Sequence, residues 1–191
     1  MCYAYSGHTK EVYKREDGRN FVCAPPMKGA DSKEALWDAI MRGDIDTVAS
    51  DHCPFQSYEK AWGEDDFSKI PNGCAGIESM YPYMLSAANE GRITFEKAVY
   101  LCSAHPAKLF GCKSKGEIAA GKDADIVIYD PTKEFTITHE KMHSDCDHTI
   151  WEGVTVHGYP VQTYSRGKLV YDNGKFVGER GWGRLLKRSL Q

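Results

Sequence analysis

The sequence predicts an α/β fold followed by a small all-β module. Residues 20–50 alternate strand, helix and strand, which is the order of a βαβ unit with a parallel crossover. Helical periodicity continues through residues 77–110, and from Gly116 onward the pattern changes to short alternating strands. We therefore expect an α/β region and then a β module over residues 116–178.

The predicted βαβ unit is assembled from three consecutive segments. "NFVCAPP" gives a short apolar strand over residues 20–24, which Pro25 and Pro26 stop. "DSKEALWDAIMRG" has an acidic start and ends at Gly43, as an amphipathic helix does. "DTVAS", residues 46–50, is a buried strand. The expected apolar helix face comprises Ala35, Leu36, Ala39 and Ile40.

The segments after residue 50 are predicted from turn and capping residues. Residues 51–75 form a long loop, and loops of this length are usually functional or disordered. Helices follow at 77–90, 94–102 and 104–110, with Thr94 as an N-cap. Within the β module, "YDNGK" predicts a hairpin turn at Asp-Asn-Gly.

The composition limits the classes of binding partner that the protein is expected to have. The formal net charge of −3 gives no broad basic surface, so we expect neither nucleic acid nor an anionic membrane as a partner. No apolar run approaches the roughly 20 residues of a bilayer span. Seven cysteines without a Cys-x-x-Cys pair indicate reduced thiols and a cytoplasmic protein. A small molecule is the expected partner.

Asp51 ends the predicted strand over 46–50 and is the first candidate for chemistry. A carboxylate at the C-terminal end of a parallel strand lies where barrel and doubly wound enzymes place their active sites. The alternative is an aspartate that only caps a turn. Taken as an isolated residue, Asp51 is better explained by the second interpretation.

Several longer motifs carry a resemblance to a known family: "SDHCPF", "DDFSKIPNGCAGIE", "AHPAKLFG", "KGEIAAGKDADIVIYDP" and "YPVQTYSRGKLVYDNGKFVG". In this order they resemble the dihydropyrimidinase and hydantoinase branch of the cyclic amidohydrolases. The resemblance implies a hydrolase that opens the ring amide of dihydropyrimidines or hydantoins, using two divalent metal ions, expected to be zinc, and a bridging hydroxide. It also implies an eight-stranded barrel beside a β-sandwich.

The resemblance covers the C-terminal portion of such an enzyme. The family's His-x-His pair does not occur in this sequence. Residues 1–115 would then contain the last two barrel strands and their helices, and residues 116–178 part of the sandwich. The tail, 179–191, is expected to contact another subunit of a homo-oligomer, a dimer or tetramer, in extended form through Trp182, Leu185 and Leu186.

The resemblance also implies site residues. Asp51 would bind a metal ion, accept a proton from the attacking hydroxide and return it to the leaving nitrogen. The main chain at Asn72 would receive the substrate ring, with Gly73 permitting close approach. Ala24 stands where many relatives have serine, and its family contact is chiefly through the main chain. His52 is expected beside the site rather than as a ligand.

Two other functions stay open at this point. A family member or fragment without the remaining metal ligands could serve as a non-catalytic assembly module. "HEKMH", His139 to His143, matches the His-Glu-x-x-His motif of zinc proteases. That motif requires a long helix, whereas the surrounding sequence predicts a strand before it and a polar loop after it. A protease is therefore the more distant alternative.

Overall fold

The computed structural model describes residues 1–189, which form two compact units. The first unit comprises Met1–Tyr81 and Thr136–Thr155, and the second comprises Pro82–Phe135 and the chain from Val156 onward. The α-helices are α1 (Ala4–Gly7), α2 (Ala30–Arg42), α3 (Ser57–Lys60), α4 (Ile77–Asn89), α5 (Phe95–Val99) and α6 (His105–Leu109). The strands are β1 (Ile126–Thr136), β2 (Thr155–Ser165), β3 (Lys168–Asp172) and β4 (Lys175–Phe176).

Shorter helical turns connect these elements. The 3₁₀ turns are Lys10–Lys14, Gly18–Phe21, Ala61–Gly63, Phe67–Lys69 and His139–Lys141. A π-helical turn, Tyr100–Ala104, joins α5 to α6. Within residues 1–189, no helix has the length and apolar character needed to span a membrane.

Parallel pairing in the first unit involves a different segment from the one predicted. Cys2 pairs in parallel with Ala49. The N–H of Ala49 donates to the carbonyl of Met1 at 2.8 Å, and the N–H of Tyr3 donates to Ala49 at 3.1 Å. The prediction of a strand over 20–24 is wrong, because Gly18–Phe21 is a 3₁₀ turn and the paired prolines that follow supply no donor for a strand ladder.

Helix α2 lies between the two paired positions, so the crossover starts from the first residues of the chain and not from the predicted strand at 20–24. Its buried residues are Trp37 and Ile40, whereas Ala35 of the predicted apolar face is exposed. The indole N–H of Trp37 donates to the carbonyl of Ser6 at 2.9 Å, which fixes the rotation of the helix. Gly43 ends the helix at φ 88°, a left-handed conformation that glycine adopts without a Cβ clash.

An aromatic cluster fills the core of the first unit around Trp151. This side chain is 1% exposed and stacks on the ring of Tyr3 with the ring centroids 4.8 Å apart. The imidazole of His8 packs against Trp151 at 4.4 Å and against Phe21 at 5.3 Å. Within the described residues the His8 Nε2 has no hydrogen-bond partner. A titratable group is thus enclosed among apolar rings.

This enclosure of His8 predicts an acid-sensitive contribution to stability. Burial, followed by the nearby charges of Lys33 and Arg15, lowers the pKa of His8 from 6.5 to about 4. The unfolded chain therefore binds the proton first as pH falls, and stability is lost between about pH 6.5 and pH 4, on the order of 3 kcal/mol. We expect His8→Phe to remove this loss, measured as unfolding free energies at pH 7 and 4.5. An equal loss in variant and wild type would contradict the assignment.

In the second unit, a further helical segment follows Gly91. Thr94 caps α5 as predicted, because its hydroxyl accepts a hydrogen bond from the N–H of Lys97 at 3.1 Å. The predicted break between two helices is a π-helical turn, so helical structure continues from Phe95 to Leu109. Gly111 follows at φ 68°, a left-handed conformation that ends the helical segment.

A four-stranded sheet with the order β1-β2-β3-β4 makes up the rest of the second unit. The pairs β2–β3 and β3–β4 are antiparallel. Asn173 at φ 47° and Gly174 at φ 90° form the two-residue hairpin turn that the sequence predicts. Residues 137–154, which lie inside the predicted β module, belong to the first unit instead. They carry Ile150 and Trp151, which are buried in the first unit, so this segment is not part of the sheet.

The C-terminal tail contains no helix in its described part, and Leu190 and Gln191 lie outside the described residues. The indole N–H of Trp182 donates to the carbonyl of Ser165 at 3.1 Å, and the guanidinium of Arg166 lies over its ring. Trp182 therefore contacts the sheet of its own chain. Leu185 is 91% exposed. The subunit contact assigned to residues 179–191 stays a prediction, now carried by Leu185 and Leu186 rather than Trp182.

Candidate active site

A cavity of about 140 Å³ in the first unit brings together all four residues that the sequence singled out. Asp51, Ala24, Asn72 and Gly73 line it. They come from three separate segments of the chain, so their convergence is a property of the fold. Further lining residues include Cys2, Tyr5, Cys23, Cys53 and Cys74.

Asp51 lies two residues beyond a parallel-paired position, although residues 46–50 form only an isolated bridge at Ala49 and not the predicted strand. The pairing ends at Ala49, and Asp51 then turns to φ 51°, a left-handed conformation that aspartate tolerates better than most residues. Its side chain is exposed, and no donor among residues 1–189 is hydrogen-bonded to its carboxylate. The carboxylate is therefore available to a ligand in the cavity.

His52 points away from Asp51 and supports a helix. Its Nδ1 accepts hydrogen bonds from the N–H groups of Gly76 at 3.0 Å and Ile77 at 3.2 Å. These donors lie at the start of α4, where main-chain N–H groups lack partners within the helix. His52 does not line the cavity, which agrees with the expectation that it is not a ligand.

The loop that carries Asn72 lies close to the segment after Asp51. A Cβ built on Gly73 would lie 2.5 Å from the carbonyl oxygen of Cys53, so only glycine fits there. The N–H of Gly73 donates to the carbonyl of Val22 at 3.0 Å. Within residues 1–189, no group is hydrogen-bonded to the main-chain N–H or C=O of Asn72. An unpaired main-chain donor and acceptor therefore border the cavity.

Lys60 is a residue that sequence reasoning did not identify. It is 0% exposed, and its ammonium donates to the carbonyls of Val22 at 2.9 Å, Pro71 at 2.7 Å and Gly73 at 2.7 Å. Burial lowers its pKa, with the nearby thiols acting in the opposite direction. A lysine is ordinarily exposed, so no local signal in the sequence indicates this position.

Four cysteine side chains line the cavity, and their exposure ranges from buried at Cys74 to exposed at Cys53. All seven cysteines, which lie within residues 1–189, are free, and Cys53 is an exposed residue that lines the cavity. A hydrogen bond from Cys74 holds the pKa of Cys23 at about 7 against the effect of burial, with smaller contributions from Tyr5 and Lys60. Cys23 is therefore an acidified thiol rather than an inert one.

The "HEKMH" motif does not form a zinc-protease helix. His139–Lys141 is a single 3₁₀ turn, and Met142 is extended. The Nδ1 of His139 lies 3.3 Å from Glu152, and that of His143 lies 2.8 Å from Glu78. The two imidazoles thus pair with different carboxylates, so the motif lacks the common helical face that metal binding requires.

One group of three ligand types does lie close together, at Cys146, Asp147 and His148. The thiol of Cys146 donates to the carbonyl of Phe55 at 3.2 Å, and His148 is paired with Asp147 at 2.9 Å. Asp147 also accepts from the main-chain N–H of Ser57 at 2.9 Å. Each member therefore already has a protein partner, and Asp147 also satisfies a main-chain N–H at the start of α3.

Comparison with known proteins places the chain in a family. The model of the amidohydrolase family matches residues 2–170, so the chain belongs to that family. D-phenylhydantoinase from Escherichia coli is 40% identical over 191 residues, which cover 98% of this chain and 41% of that protein. The chain thus spans about two fifths of the length of the curated relatives it matches.

Solved structures show the same fold. The dihydropyrimidinase from Brevibacillus agri NCHU1002 is 40% identical with a TM-score of 0.95, covering 99% of this chain and 42% of that one. The L-hydantoinase (dihydropyrimidinase) from Arthrobacter aurescens is 33% identical with a TM-score of 0.93, covering 98% of this chain and 42% of that one. These relatives are cyclic amidohydrolases, as the motifs predicted, and the chain has the fold of part of one.

Proposed function

We propose that this chain is part of a metal-dependent hydrolase that opens the ring amide of hydantoins or dihydropyrimidines. The observation that carries the proposal is the shared cavity of Asp51 and Asn72 in a member of the amidohydrolase family. Asp51 offers a carboxylate, and Asn72 offers main-chain groups to a polar ring. The names of the relatives support this substrate class.

The main chain at Asn72 suits a cyclic amide. The main-chain N–H and C=O of Asn72 are unpaired among the described residues, so Asn72 can donate one hydrogen bond and accept another. An amide inside a small ring is held in the cis form, which places its own N–H and C=O on one side. The two edges are therefore complementary, whereas an open-chain trans amide presents these groups on opposite sides.

We infer that Asp51 is both a metal ligand and the proton-transfer residue. An exposed carboxylate without a protein partner fits a divalent cation, and this chain supplies that one ligand of a two-ion site. When bound, the ions, which we take to be zinc, would polarise the ring carbonyl and acidify the attacking water. Asp51 accepts the proton of that water and returns it to the nitrogen that leaves the carbonyl carbon.

The wider organisation is part of the same proposal. Residues 1–115 would contribute the last barrel strands, which we assign to Met1–Tyr3 and 46–50, and residues 116–178, apart from 137–154 in the first unit, would contribute to a β-sandwich. The parallel pairing of Cys2 with Ala49 supports neighbouring barrel strands. We also infer a cytoplasmic homo-oligomer, a dimer or tetramer, with the tail in the subunit contact.

An assembly module without catalysis is the alternative, and ring-opening assays distinguish the two. We expect the full-length protein to hydrolyse hydantoin or dihydrouracil in the presence of zinc. The isolated chain should neither do so nor bind two zinc ions tightly, because one carboxylate is a poor site where three or four ligands are usual. Metal analysis and product formation by both proteins test this. Inactivity of the zinc-loaded full-length protein would favour the assembly module.

A further inference from the structure

The buried ammonium of Lys60 joins the two segments that border the cavity. It donates to the carbonyls of Val22, Pro71 and Gly73 at 2.7–2.9 Å, so all three of its protons have an acceptor. Cys23 and Asn72, the neighbours of these carbonyls, line the cavity, whereas Lys60 does not. Lys60 therefore lies behind the cavity wall.

The planarity of the peptide bond fixes the directions of the main-chain N–H and C=O of Asn72. In a trans peptide the C=O and the following N–H point in opposite directions. Because the carbonyl of Pro71 points at Lys60, the N–H of Asn72 points away from it. The N–H of Gly73 is directed at the carbonyl of Val22, which also binds Lys60, so the C=O of Asn72 points away as well. Both main-chain groups of Asn72 thus share the side opposite Lys60.

We propose that Lys60 is a positioning residue, which aligns the donor and acceptor of Asn72 for the ring amide of the substrate. This inference rests on the proposed function and deepens it by naming the residue that sets the recognition edge. Without the ammonium, three carbonyls converge with no donor between them, and a buried unpaired carbonyl is costly. The loop would turn these carbonyls toward water, and the edge of Asn72 would lose its orientation.

The test compares two substrates in the full-length, zinc-loaded enzyme. One is a hydantoin, and the other carries a methyl group on the ring nitrogen that is not part of the cleaved bond. The methyl group removes the N–H of the uncleaved amide edge, which is the edge we take Asn72 to bind, and leaves the cleaved amide intact, so the wild type should show a KM about tenfold higher for the second substrate. In Lys60→Met, the KM for the first substrate should rise about tenfold, and the ratio of the two KM values should approach one.

Two further variants keep the test decisive. Lys69→Met removes the same charge from an exposed lysine paired with Asp66, and it should leave the ratio unchanged. Lys60→Gln retains two N–H donors and should give an intermediate ratio.

Three outcomes separate the possibilities. A reduced kcat with an unchanged ratio in Lys60→Met would give Lys60 a structural role only, as would loss of folding in both Lys60 variants, and either result overturns the proposal. A wild type without any ring-opening activity would instead be a failure of the proposed function.

Discussion

Asp51→Asn is expected to abolish most ring-opening activity of the full-length enzyme while leaving its fold intact. The amide has the shape of the carboxylate but cannot accept the proton of the attacking water, and a general base contributes about 10²- to 10⁴-fold to turnover. We expect kcat to fall by this factor in an assay with hydantoin or dihydrouracil. The side chain is exposed and has no protein partner, so the unfolding transition should not move.

Metal loss must be separated from loss of the base. Asparagine is a weaker ligand than aspartate, so kcat should be measured at saturating zinc, with the bound metal determined in the same sample. Asp65→Asn is the matched control, because Asp65 is an exposed acid outside the cavity. Near-normal turnover of a fully metal-loaded Asp51→Asn enzyme would remove Asp51 from the proton transfer.

Elements whose determinants are local could be predicted from the sequence. The end of α2 at Gly43, the Thr94 cap and the turn at Asn173 and Gly174 each depend on residues within a few positions. Pairing between distant segments could not be predicted in the same way. The first residues of the chain pair with Ala49, although residues 20–24 also have an apolar sequence and lie nearer along the chain. The choice of partner depends on packing along the whole unit, which local propensity does not contain.

The residues of the candidate site also divide into those with local signals in the sequence and those that depend on tertiary contacts. Asp51 and Asn72 lie in family motifs that are specific enough for the sequence to predict both as site residues. Both line one cavity in the structure. Lys60 was missed because its role depends on three carbonyls that meet only in the folded chain. The lowered pKa of the Cys23 thiol likewise depends on Cys74, which is 51 positions further along the chain. Electrostatic features that arise from tertiary contacts need the structure.

Trp151→Ala should produce the largest loss of stability in the first unit. The indole is 1% exposed and stacks on Tyr3 with an interplanar angle of 11°. Gly7 lies so close that a Cβ built on it would be 2.2 Å from the ring, so the surrounding backbone is fitted to this side chain. Removal of a buried tryptophan side chain costs about 3–5 kcal/mol, and we expect this decrease in the unfolding free energy measured by urea titration.

Trp151→Ala should also affect the cavity, because Tyr3 connects the two. This residue lines the cavity, and its hydroxyl lies 2.6 Å from Ser79 and donates to the carbonyl of Gly76 at 2.9 Å. When the stacking surface is removed, Tyr3 gains freedom and these hydrogen bonds weaken, so a ring-opening assay should show a raised KM as well. Trp62→Ala deletes the same side chain where it is 61% exposed, and its cost should stay below about 0.5 kcal/mol. Equal destabilisation by the two substitutions would show that the aromatic cluster around Trp151 is not the core that supports this cavity.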